Sequence, residues 1–94
     1  MRDTGARRVL IVDDSPAFTD ALKRLLTAEG FVADVLHDSE GVIGAVAQFA
    51  PDVVLLDVDL PGASGFEVCR RLKRFEATRL IPVVLLTGLV GREH

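Results

Sequence analysis

Three short, unbroken apolar runs organise the chain: Val9-Leu10-Ile11-Val12, Val53-Val54-Leu55-Leu56 and Val83-Val84-Leu85-Leu86. None alternates with period two, so each reads as a strand buried on both faces, the pattern of interior parallel strands. Between them the period becomes helical. Ser15 in the cap position and Pro16 at the first helical position open a helix with Phe18, Ala21, Leu22, Leu25 and Leu26 at three-and-four spacing, and Gly30 closes it. Phe31 to Leu36 predicts a weaker strand, interrupted by Asp34 as suits an edge. Ser39 to Ala50 predicts a second helix with Val42, Ile43, Val46 and Phe49 on one face, and Pro51 breaks it. Phe66 to Phe75 predicts a third, with Phe66, Cys69 and Leu72 inward and Arg70, Arg71, Lys73 and Arg74 largely outward. Strands alternating with helices give an α/β open sheet, and right-handed crossovers put helices on both of its faces.

Composition narrows this reading. The 94 residues suit one small domain, and 49% hydrophobic against 27% charged residues requires a packed core. Eleven basic against fourteen acidic residues, a net charge of −3, exclude a broad basic face for nucleic acid or anionic membranes. The apolar run behind the charged start is too short for a signal-peptide core, and no run approaches the ~20 apolar residues that span a bilayer. Cys69 stands alone in the sequence, which excludes an internal disulfide and a cysteine-based zinc site and fits a reducing, cytoplasmic setting. It reads as a small core residue, and the Arg70 to Arg74 run as a solvated helix face.

The polar residues that carry chemistry sit at the carboxyl ends of the predicted strands, where open parallel sheets bind ligands. The first strand ends in Asp13-Asp14, the third in Asp57 with Asp59 close behind, and the fourth in Thr87. Carboxylates crowded from neighbouring strands repel one another, and a bound cation relieves this. An all-oxygen set without His or Cys favours Mg2+ or Mn2+ over zinc. A hard ion that keeps several waters also accepts a phosphate oxygen, with the Thr87 hydroxyl and nearby amides as donors to the others. Asp57 is then the natural acceptor of a phosphoryl group, held as an aspartyl phosphate.

Val9 to Ser15, Leu55 to Gly65 and Val84 to Gly88, in this order and spacing, resemble the receiver domain of two-component response regulators, the CheY-like family. The resemblance implies a flavodoxin-like, doubly wound parallel sheet of strand order 2-1-3-4 for the part present. It implies Asp57 as phosphoacceptor, Asp13 and Asp14 as metal-holding residues with Asp14 and Asp57 as direct ligands, the Asp59 backbone carbonyl as a further ligand, and Thr87 as switch hydroxyl. It further implies a sensor histidine kinase or phosphotransfer protein as phosphoryl donor and an output domain or partner protein as recipient of the signal. Direct binding to nucleic acid or membrane by this domain is not expected, nor is enzyme activity beyond self-catalysed phosphotransfer and dephosphorylation.

The family also has a fifth strand, two more helices and a lysine after strand five, whereas Lys23 and Lys73 fall on predicted helices one and three. Residues 1–94 are therefore expected to be a partial receiver domain. The fourth strand is expected to be a buried run left as an apolar edge, covered by further chain or by a second copy in a homodimer. Two rival functions come from other classes. Asp57-Val58-Asp59 at a strand end also resembles a haloacid-dehalogenase-type phosphohydrolase, and a receiver-like fold that does not cycle phosphate would be a protein-interaction module.

Overall fold

The computed structural model describes residue 5 and residues 7–86. Seven elements follow one another: β1 (Arg8–Val12), α1 (Pro16–Ala28), β2 (Val32–Leu36), α2 (Val42–Phe49), β3 (Val53–Asp57), α3 (Gly65–Arg74) and β4 (Val83–Leu86). The strands form one sheet in the order β2-β1-β3-β4, every pair parallel. This is the expected flavodoxin-like topology. The register sets Val12 beside both Leu36 and Leu56, so the carboxyl ends of β1, β2 and β3 finish level.

One face of the sheet carries a closed core. Leu10 and Val12 of β1 and Val54 and Leu56 of β3 pack with Val42 and Val46 of α2 and Val68 and Leu72 of α3, all at most 1% exposed. On the other face α1 lies against β1 and β2 and buries Val9 and Ile11. At the amino ends, the Arg8 and Asp52 backbones are clasped. Asp52 N–H donates to the Arg8 carbonyl at 2.7 Å, and Arg8 N–H donates to Asp52 Oδ2 at 2.7 Å.

Helix α1 follows the sequence closely. Ser15 Oγ accepts from Phe18 N–H at 3.3 Å, Pro16 opens the helix, and Gly30 at φ 95° turns the chain out of it. Its burial does not follow the predicted stripe, however. Ala21 and Leu25 are exposed and Thr19 is the buried residue of the helix.

Helix α2 starts at Val42, three residues later than predicted. Gly41 takes a left-handed φ of 83°, and Ser39 is engaged by another loop. In α3 the buried face is Gly65, Val68 and Leu72, so Phe66, one position further round the helix, is exposed rather than inward. Cys69 is half-buried against the core. Strand β4 is not fully buried: Val83 and Leu85 pack on the core, while Val84 on the α1 side is 47% exposed. The edge position of β2 is as expected, with Asp34 exposed.

Candidate functional site

The end of β1 and the end of β3 are neighbours in the sheet, and this adjacency assembles the site. Asp13 and Asp14 leave β1 and Asp57 ends β3. Each contributes a carboxylate oxygen to a cluster in which all the oxygens lie within 4.8 Å of one another. Asp13 and Asp57 are buried, at 0% and 1% exposure, and Asp14 is half-buried.

The backbone around each acid is fixed by its own hydrogen bonds. Asp13 N–H donates to the Leu36 carbonyl at 3.0 Å, extending the β1–β2 ladder one residue beyond the strand. Asp13 Oδ1 accepts from Ser15 N–H at 2.9 Å, so the residue that caps α1 also orients an acid. The cluster thereby sits at the amino end of α1, whose dipole favours negative charge.

Asp57 is held from three directions. Val58 N–H donates to the Leu86 carbonyl at 3.1 Å, Asp59 N–H donates to Asp57 Oδ1 at 3.3 Å, and Gly65 N–H donates to the Val58 carbonyl at 2.7 Å. Gly65 lies so close that a Cβ there would collide with the Asp57 carbonyl oxygen and the Val58 Cα. Glycine is what lets the first turn of α3 rest directly on the Asp57 peptide.

Three ionised carboxylates in this space are costly. Unit charges roughly 5 Å apart at an effective dielectric near 20 repel by about 3 kcal/mol per pair. A divalent cation offsets that repulsion, and the donor set, all carboxylate oxygen with no His or Cys in the cluster, matches Mg2+ or Mn2+. The residues therefore fit the metal the sequence implied.

Of the predicted site residues, the structure brings Asp13, Asp14 and Asp57 together. Asp59 is adjacent, with its side chain exposed and its N–H on Asp57. Thr87 lies outside the described residues.

Two contacts near the site had no sequence expectation. His37 Nε2 lies 3.1 Å from the buried Thr19 Oγ1, tying the β2 exit to the first turns of α1. Ser39 Oγ donates to the Pro61 carbonyl at 2.9 Å, tying the β2–α2 loop to the β3–α3 loop. Each joins residues about twenty positions apart, and no local motif marks either.

Comparison with known proteins places this geometry. Residues 9–93 match the family model described as response regulator receiver domain. The response regulator PleD of Caulobacter vibrioides is 46% identical over 85 residues, which are 90% of this chain and 19% of that protein. The DNA-binding response regulator MtrA of Mycolicibacterium smegmatis is 42% identical over 86 residues, 92% of this chain and 36% of that protein. The chain thus spans between a fifth and about a third of the length of these curated relatives. Among solved structures, the N-terminal domain of a response regulator receiver protein from Methanoculleus marisnigri JR1 superposes with a TM-score of 0.83 at 35% identity, covering 87% of this chain and 67% of that one.

Proposed function

This chain belongs to the response regulator receiver domain family, and from that premise we propose that it is a phosphorylation switch in which Asp57 accepts a phosphoryl group from a sensor histidine kinase or phosphotransfer protein. The observation that carries the reading is the convergence of the Asp13, Asp14 and Asp57 carboxylates at the ends of two adjacent strands. Family membership sets aside the haloacid-dehalogenase alternative, since the match takes in both the Asp13-Asp14 block and the Asp57-Val58-Asp59 block.

Asp13, Asp14 and Asp57 would hold Mg2+ or Mn2+, joined by the backbone carbonyl of Asp59. When bound, the ion supplies positive charge that offsets the three carboxylates and receives an oxygen of the incoming phosphoryl group. The rest of the chemistry is done by the chain. A carboxylate oxygen of Asp57 attacks the phosphorus of a phosphohistidine in line with the phosphorus–nitrogen bond. That bond breaks, its electron pair leaves on the imidazole, and the product is an acyl phosphate on Asp57. Ser15 N–H on Asp13 and Asp59 N–H on Asp57 keep the carboxylates oriented.

Thr87, which follows Leu86 in the sequence, is assigned the hydroxyl that answers the new phosphoryl group. The signal passes to an output domain or partner protein, in the cytoplasm, with no turnover of an external substrate. The domain pairs as a homodimer and makes no direct contact with DNA or membrane.

Incubation with acetyl phosphate, followed by intact-mass analysis, tests the proposal. One phosphoryl group is expected on Asp57, dependent on a divalent ion and lost in Asp57→Asn. A label on Ser15 refutes the role of Asp57. Continuous release of phosphate from many esters points to a phosphohydrolase, and the complete absence of label with Mg2+ present points to an interaction module.

A further inference from the structure

The loop that follows β3 is fixed at both ends. At its base, Gly65 N–H reaches back to the Val58 carbonyl. At its tip, the Pro61 carbonyl accepts twice from Ser39, from Oγ at 2.9 Å and from N–H at 3.3 Å. The next residue, Gly62, adopts φ 94°, and a Cβ built on it would stand 2.5 Å from Ser39 Oγ. The tip is therefore a matched pair: the hydroxyl occupies the space that any side chain at position 62 would need.

Between base and tip run only Asp59 and Leu60, so these two attachments, together with the Asp59 N–H bond to Asp57 Oδ1, set the course of the backbone at Asp59. We infer that Ser39 is a positioning residue for the acidic site. By holding Pro61 from the neighbouring loop it fixes where the Asp59 peptide stands relative to Asp57, and thereby sets the affinity of the site for a divalent cation. The inference rests on the metal-binding reading above and deepens it, since it makes the β2–α2 loop a determinant of metal affinity although that loop supplies no ligand.

Titration of the protein with Mn2+, followed by the electron paramagnetic resonance signal of the free ion, is the test. Wild type is expected to bind in a manner that Asp14→Asn abolishes. Ser39→Ala is expected to raise the Mn2+ dissociation constant about 3- to 10-fold, at or below the range typical of residues that orient metal ligands. Ser39→Thr, which keeps the hydroxyl, should restore most of the affinity. A purely structural stitch would move the melting temperature and leave Mn2+ binding untouched.

Gly62→Ala provides a second route to the same contact should Ser39→Ala fold poorly. It crowds the hydroxyl off Pro61 and strains the left-handed turn, and is expected to weaken Mn2+ binding with Ser39 still in place. Binding that is sensitive to Asp14→Asn but unchanged in Ser39→Ala overturns the inference alone. Absence of Mn2+ binding in wild type overturns the metal reading, and the inference with it.

Discussion

Leu10 and Leu25 are the same residue type with opposite fates: Leu10, under α2 and α3, is 1% exposed, whereas Leu25, on α1, is 66% exposed. The contrast extends to the two faces of the sheet. On the side of α2 and α3, Val12, Val54 and Leu56 are sealed. On the side of α1, Val9 and Ile11 are covered, but Val53, Leu55 and Leu86 are only half-buried and Val84 is 47% exposed. Two described helices serve the first face and one serves the second. A helix's apolar stripe states what it is able to bury, and its neighbours decide what it does bury.

The largest expected effect sets the two leucines against each other. Leu10→Ala should destabilise by about 2–5 kcal/mol, because it empties a packed site. Leu25→Ala should stay within about 0.5 kcal/mol, as expected for an exposed position. Urea unfolding of both variants checks this, and equal losses would break the contrast by showing that the α1 face is covered in solution.

Next in size is Gly65→Ala. The added methyl meets the Asp57 carbonyl and the Val58 Cα, backbone atoms that move only with the strand end. Overpacking of this kind costs about 1–3 kcal/mol. Labelling by acetyl phosphate should fall more sharply than stability does, because the displaced peptide is that of Asp57, the proposed acceptor.

Thr78 sharpens the account of the closed face. Its buried hydroxyl donates to the Leu72 carbonyl at 2.6 Å, stitching the turn after α3 back onto the helix. Thr78→Val keeps the shape and strands that carbonyl, for an expected loss of about 1–2 kcal/mol in chemical denaturation. On the α1 side, Ser15→Ala removes the cap on Phe18 N–H, for about 1 kcal/mol.

The smallest effect depends on pH. Glu67, on the outer side of α3, is held below its ordinary carboxyl pKa of 4.5, first by the hydrogen bond from Arg70 and then by the charges of Arg70, Arg71 and Arg74. A lowered folded-state pKa means that the pair stabilises the protein above the ordinary value, and that this contribution is lost as pH falls through the lowered one. Melting curves of wild type and Glu67→Gln should therefore differ slightly near neutrality and converge in acid. A gap that widened on acidification would reverse the sign.

Much of this architecture was legible because it is local. The strands Val9 to Val12 and Val53 to Leu56 announce themselves as apolar runs, and Ser15, Pro16 and Gly30 bound α1 by capping chemistry contained within a few residues. Asp13, Asp14 and Asp57 are legible as strand-end acids because the apolar runs before them end at those residues. Failures occurred where the answer lies elsewhere in the fold. Phe66 satisfied the apolar period as well as Val68 does, but the close seat of Gly65 on β3 rotates α3 so that Val68 faces in. The sequence pattern places the start of α2 at Ser39, whereas Ser39 bonds to Pro61, a partner 22 residues away that leaves no mark on the local pattern.

The central position of β1 has a consequence for biosynthesis. It is made before the other three described strands, yet it takes hydrogen bonds on both edges, from β2 and from β3. The clasp that aligns its second edge, Arg8 with Asp52, joins residues 44 positions apart. A ribosome adding about 5–20 residues per second therefore takes several seconds to supply that partner, during which Leu10, Ile11 and Val12 have one neighbouring strand at most. The nascent chain passes through a stage in which its most buried strand is its most adhesive segment. The β1–β3 closure, which must overcome the entropy of a long loop before its contacts form, is the step at which a chaperone has most to protect.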